Sequence, residues 1–360
     1  MIFNNKSQDK EKVPVTSYGI KIEQNILLKP FTTFKVGGNA DYFCRVSSVD
    51  ELKEAVSFSR ENNIPIFVLG GGSNILVSDN GFKGLVIKIE INGMSFKEDG
   101  DSVLISAFAG EDWDNVVELS VKKQLYGIEN LSFIPGTVGA SVVQNIGAYG
   151  TEIKNVVTSV EVFDTQNLKI IVLKKTECEF GYRDSIFKKP RGGNYIVTKV
   201  CFRLKKERKL NLSYKDIKKH FDTYTDIPTL KEVRKAIGII RKNKFPNPKM
   251  FGTVGSFFKN PIVLNEEASR LKNEIPDIYM FTVDNCNKKI SIAWILDNEL
   301  GLKGFKKGNI CLFENQPLVV VNLGGANARE IKNFTDNIAE KIYKKIKIKI
   351  IPEVVFVGKF

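Results

Sequence analysis

Apolar residues recur at positions 49, 52, 56 and 58 of the stretch 48–60, and its first turn carries Asp50 and Glu51. That spacing and acidic start predict a helix with one apolar face. The same pattern predicts helices over 112–122, with Gly127 beyond the end, and over 231–241, which Pro246 and Pro248 break. Short apolar runs predict strands at 64–69, 75–77, 84–89, 102–108 and 194–204. Residues 156–163 and 169–173 read as a hairpin turning at 164–167. Further on, the pattern predicts a helix around 291–300, a strand over 317–322 and a long helix from 328 to about 344. An apolar run at 348–357 follows. Together these predict an α+β class with mixed sheets, without internal repeats or a Pro/Ser-rich linker.

Two stretches break this alternation. Residues 133–150 hold Gly136, Gly139, Gly147 and Gly150, small Ala140, Ser141 and Ala148, and no charge, in a chain that is 26% charged. Glycine permits positive φ and close backbone approach. Bare amides in such a run can face phosphate oxygens of a large ligand; a tightly packed turn between strands is the alternative. The second stretch is Gly70-Gly71-Gly72-Ser73-Asn74. A dinucleotide fingerprint needs a strand, a spaced glycine motif and then a helix. Here a second apolar extended run and the turn signal Asp79-Asn80-Gly81 follow instead. A Rossmann unit is therefore disfavoured, and a phosphate-holding nest between two strands stays open.

A length of 360 residues implies two or three domains. No apolar run reaches the length of about 18 residues needed for a transmembrane helix. The polar start lacks the apolar core of a signal peptide, so a cytoplasmic location is expected. The net charge of +13, from 54 basic and 41 acidic residues, invites a nucleic-acid reading. The lysines are spread, however, and the densest runs, 205–209 and 344–349, lack interleaved aromatics. A lysine-rich solvated surface, compatible with an anionic small substrate, fits better. Five cysteines without CxxC spacing indicate reduced thiols. His220 is the single histidine and sits among lysines, which excludes a histidine-cluster metal site.

Three residues are candidates for chemistry. Arg183 lies in an apolar and aromatic segment, 181–187, where it either holds a carboxylate or sits on a surface turn. Ser256 follows Gly255, but Val254 and Phe258 break the nucleophile-elbow pattern. It is a proton donor in a dry pocket or a serine in a glycine turn. Glu353 lies in an apolar strand, facing either solvent or a pocket that displaces its pKa.

In this order, seven segments resemble the UDP-N-acetylenolpyruvoylglucosamine reductase family. They are PFTTFKVGG at 30–38, LGGGSNIL at 69–76, IPGTVG at 134–139, QNIGAYG at 144–150, FGYRDS at 180–185, GSFFKNP at 255–261 and PEV at 352–354. Residues 187–216, with Tyr214, resemble the extra loop and strand region of the family's longer subtype. The resemblance implies an FAD-binding fold of the vanillyl-alcohol-oxidase (PCMH) type in two subdomains, 25–90 and 91–244, after a flexible tail at 1–24. A C-terminal α+β substrate-binding domain at 245–347 would follow, with 348–360 returning to the first subdomain or to the active site. It implies a relay in which NADPH reduces FAD and flavin N5 delivers hydride to C3 of an enolpyruvyl UDP-sugar, giving UDP-N-acetylmuramate for peptidoglycan. By position, Arg183 and Glu353 would polarise the enolpyruvyl carboxylate and Ser256 would protonate C2. Gly70, Gly71, Gly72, Ser73, Asn74, Pro135, Gly136, Gly139, Ser141, Asn145, Gly147, Ala148, Tyr149 and Gly150 would line the flavin. Tyr182, Tyr214, Lys244 and Asn260 would contact the substrate, with Asn298 or Glu299 matched loosely. Residues 312–316 depart from relatives that carry a histidine there. The resemblance implies no metal, no nucleic-acid partner, no membrane insertion and no obligate protein partner. An oxidase of the same FAD fold is the competing reading.

Overall fold

In the computed structural model, which describes residues 19–360, the first sheet orders its strands Ile22–Leu27, Asn39–Val46, Phe82–Ile89 and Ile66–Leu69. The first pair is antiparallel and the other two are parallel. The helix Val49–Glu61 lays Leu52, Ala55 and Val56 into the core, and the Ser48 side chain caps it by accepting from Glu51 N. The expected tail at 1–24 falls only partly on described residues. Residues 1–18 lie outside the described part, but Ile20 and Ile22 are buried and Ile22 opens a paired strand. Two core-facing isoleucines outweigh the polar residues around them.

A second, antiparallel sheet runs Lys169–Lys174, Val157–Asp164, Tyr195–Lys205, Ser102–Phe108, Met94–Asp99. Within the segment read as an extra region, Tyr195–Lys205 is thus the middle strand of this sheet and integral to it. Only the chain beyond it, with Tyr214, stands apart, packed on the helices Lys215–His220 and Leu230–Lys244. The helix Trp113–Lys122 buries Trp113, whose indole donates to Leu131 O at 2.9 Å. One continuous apolar core joins the two sheets.

The third sheet orders Gly252–Ser256, Gln316–Asn322, Ile310–Phe313 and Lys306–Lys307. Ser256 therefore ends a strand, opposite Val319, and not a loose glycine turn. The helix Ala328–Ile346 lays Ile331, Phe334, Ile338 and Ile342 into a second core, which also takes Phe34, Val36 and Leu76 from the first part of the chain. Asp79 ties the two parts together, accepting from Ala328 N at 2.8 Å and Arg329 N at 2.9 Å at that helix's start. Of the run 348–357, only Val355–Val357 is strand, and it pairs in parallel with Ile75–Val77. Among the described residues no helix is long and apolar enough to cross a membrane.

Candidate active site

Arg183 sits in a tight turn closed by Gly181 N to Asp184 O at 2.9 Å and Asp184 N to Gly181 O at 3.3 Å. Its φ is +52°, a left-handed conformation that costs a residue with a Cβ about 1–2 kcal/mol. Neighbours over-determine that conformation. The fully buried Ser185 donates its hydroxyl to Val143 O at 2.7 Å. Asn145, also fully buried, donates to Gly181 O at 2.6 Å and Glu152 Oε2 at 3.3 Å, and accepts from Lys154 N at 3.2 Å. So held, the guanidinium donates through Nε to Glu353 Oε1 at 3.0 Å, through Nη1 to Asn145 O at 3.4 Å, and through Nη2 to Gly147 O.

Glu353 is fixed from every side. Its amide donates to Phe257 O at 2.8 Å, the residue next to Ser256. Its carbonyl accepts from Asn74 Nδ2 at 3.1 Å, and Val355 N donates to Asn74 O at 3.0 Å. Its carboxylate also accepts from Gln144 Nε2 at 3.1 Å. Arg183, Glu353 and the Ser256 segment are thereby brought together, and the Ser256 hydroxyl makes no hydrogen bond to a described residue. With only about a sixth of each side chain exposed, the Arg183–Glu353 pair is well shielded from water.

The two glycine stretches face each other. A Cβ added to Gly71 would stand 2.7 Å from Gly136 Cα, and one on Gly70 would stand 2.8 Å from Thr137 Oγ1. Ser73 donates to Pro135 O at 2.9 Å. Gly72 is left-handed at φ +64°, and a Cβ there would meet Phe31 O at 1.9 Å. The amides of Gly71, Gly72 and Ser73 meet no acceptor among the described residues.

The stretch 133–150 differs from its expectation. It contains the helix Val138–Val143, and the amides of Val138 and Gly139 are spent on Glu111 O at 2.9 Å and Ala109 O at 3.0 Å. Gly139 is packed against Ala109. Ser141 donates to Val138 O at 2.6 Å, within its own helix. The buried Tyr149 ring lies in an apolar cluster with Ile217, Phe221 and Val233, and burial raises its pKa. The Ser141 and Asn145 side chains are thus engaged within the protein, and the Tyr149 ring is buried. Gly147 and Ala148 are half-buried beside the Arg183 turn, and Gly150 is exposed.

Of the expected substrate residues, Tyr182 adjoins the pair. Burial raises its pKa, and the Lys289 ammonium lies 5.1 Å from its ring centre. Tyr214 packs edge-on to Tyr149 at 5.3 Å, and burial with the nearby Asp216 pushes its pKa up to about 12. Lys244 pairs with Asp216. The Asn260 side-chain oxygen Oδ1 accepts from Ile292 N at 3.0 Å. Asn298 is exposed and bonds back to Trp294 O at 3.1 Å, while Glu299 pairs with Lys345 at 2.7 Å. Neither Asn298 nor Glu299 contacts the Arg183–Glu353 group. Gln144, Lys188, Lys259 and Lys289 escaped the sequence reading, although Gln144 and Lys259 lie inside two of the quoted motifs. Burial, and after it the Lys259 charge, lowers the Lys188 pKa.

Residues 40–173 match the FAD binding domain family, and residues 247–357 match the C-terminal domain of UDP-N-acetylenolpyruvoylglucosamine reductase. Curated reductases of that name from Chromobacterium violaceum and Flavobacterium johnsoniae are 36% and 38% identical over 93% of this chain, which covers 98% and 99% of them. The chain belongs to the UDP-N-acetylenolpyruvoylglucosamine reductase family. The reductase from Thermus caldophilus superposes with a TM-score of 0.65 at 26% identity, covering 94% of this chain and all of that one. The α+β class with an FAD-binding domain and the reductase C-terminal domain follows. FAD suits the residues present, since the glycines let the Gly70–Ser73 and Pro135–Gly136 segments abut while the amides of Gly71, Gly72 and Ser73 are left unsatisfied, free to face phosphate oxygens.

Proposed function

We propose that this protein is an NADPH-dependent reductase that converts an enolpyruvyl UDP-sugar to UDP-N-acetylmuramate. The supporting observation is the direct contact of Arg183 with Glu353, beside the strand end that bears Ser256. Gly70, Gly71, Gly72, Ser73, Asn74, Pro135 and Gly136 would hold FAD, which supplies hydride when bound. Arg183 stabilises negative charge as it grows on the substrate carboxylate. Its permanent cation is already oriented, so little reorganisation is needed during reaction. Glu353 offsets that charge in the resting site and, through Nε, keeps the guanidinium plane from turning. Ser256 donates its hydroxyl proton to C2. A serine is a weak acid, so donation is favourable only once the carbon is strongly basic, which confines the step to the correct moment. Lys244 would exchange Asp216 for a substrate diphosphate oxygen, and Tyr182 with Asn260 would border the sugar. The reading sets this work in the cytoplasm. Denatured protein should release FAD. Anaerobic NADPH should bleach the holoprotein, and the enolpyruvyl UDP-sugar should restore its colour. Bleached protein that stays colourless with that substrate would overturn the reading.

A further inference from the structure

The main-chain carbonyl of Arg183 receives two ammonium groups, Lys188 Nζ and Lys259 Nζ, each at 3.1 Å. Lys188 lies on the same loop, whereas Lys259 comes from the far side of the site, just beyond Ser256. Both are half-buried, and neither forms an ion pair with a described carboxylate. A lysine without such a partner ordinarily keeps its charge in water. Here two charges share one peptide oxygen that belongs to a left-handed residue.

The links close a ring. Lys188 also donates to Gln144 Oε1 at 3.0 Å, Gln144 donates to Glu353, and Glu353 accepts from Arg183. Lys259 adds a second tie, since its own amide donates to Ile351 O at 2.9 Å. One residue therefore joins the Ser256 strand end, the Glu353 segment and the Arg183 turn. Charge-assisted hydrogen bonds of this kind are about twice as strong as neutral ones.

We propose that Lys259, with Lys188, is a positioning residue for enolpyruvyl reduction: its ammonium locks the Arg183 turn against the segments of Ser256 and Glu353. The inference rests on the reductase reading above. It predicts that Lys259→Ala, loaded with flavin, loses roughly 10- to 100-fold in kcat, the worth of one charged hydrogen bond, with KM within about threefold. Added ethylammonium should recover much of that loss, whereas equal sodium chloride or ethanol should not. Lys188→Met should lose less, because Lys259 still holds the carbonyl. Independently of turnover, amide hydrogen exchange at Gly181 and Asp184 should speed up in Lys259→Ala and slow again with ethylammonium. Wild-type kcat in Lys259→Ala would overturn the positioning role while leaving the reductase reading intact. So would a loss that ethylammonium cannot recover and that follows a lowered Tm. Wild-type protein that fails on the enolpyruvyl substrate would overturn the reductase reading itself.

Discussion

Arg183→Lys separates charge from geometry. Lysine keeps the cation and tolerates the left-handed backbone about as well as arginine does. It loses the fork that reaches Glu353 Oε1, Asn145 O and Gly147 O in three directions at once. A flexible ammonium can satisfy one of these well. Glu353 keeps its bond from Gln144, so the carboxylate is not stranded. The loss is therefore smaller than breaking a buried pair outright. Two of the three contacts are then lost, and counting only the one to Glu353 as part of the reacting arrangement, one charged hydrogen bond costs about 1.5–3 kcal/mol. That converts to a fall of about 10- to 150-fold in kcat/KM at room temperature. Because the pair is shielded but not sealed, folding stability should drop by only about 1 kcal/mol. The assay is stopped-flow recolouring of NADPH-bleached protein by the enolpyruvyl UDP-sugar, beside thermal melts of wild type and variant. Recolouring within threefold of wild type, with an equal melt, would refute the claim that the fork matters.

Ser256→Ala should still bleach with NADPH and should recolour several decades more slowly, read in the same instrument; undiminished recolouring would free Ser256 from proton transfer. Asn145→Ala deletes three hydrogen bonds at a fully buried side chain and should cost about 2–4 kcal/mol of stability, visible in denaturant melts, with activity lost alongside as the Arg183 turn loosens. The Cys44 and Cys178 thiols, each pushed up to about 12 by burial, stay protonated at neutral and mildly alkaline pH, so a thiol reagent at pH 8 should label exposed Cys286 first and reach those two only on unfolding.

The helices and strands were legible where one face is apolar throughout, as in 48–60 and 102–108, because period alone decides them. The short helix Val138–Val143 was not: its glycine, serine and three valines carry weak propensity, and what makes it helical is Thr137 at its start and the backbone oxygens of Glu111 and Ala109. Arg183 and Glu353 were legible as candidates, each with an innocent alternative. What removes the alternatives is a contact across 170 positions that no local pattern encodes. The side chains of Asn145 and Tyr149 show the opposite case. Polar residues in a motif look like ligand contacts, yet a left-handed loop needs internal partners first, and the Asn145 side chain provides them while the Tyr149 ring is buried among apolar residues. Asn298 and Glu299 match by position alone: Asn298 bonds back one turn to Trp294 O, and Glu299 ties its segment to the helix Ala328–Ile346 through Lys345.

The bond from Asn74 to Glu353 spans 279 positions. On the ribosome, the glycine loop and the strand Ile75–Val77 emerge long before the segment that borders them, so a nascent chain carries an open seam along that strand. Any product halted before residue 353 keeps the seam open. It retains most of the flavin cradle but exposes an unpaired edge to other chains, which makes it a target for chaperones and proteases and no substitute for the finished enzyme.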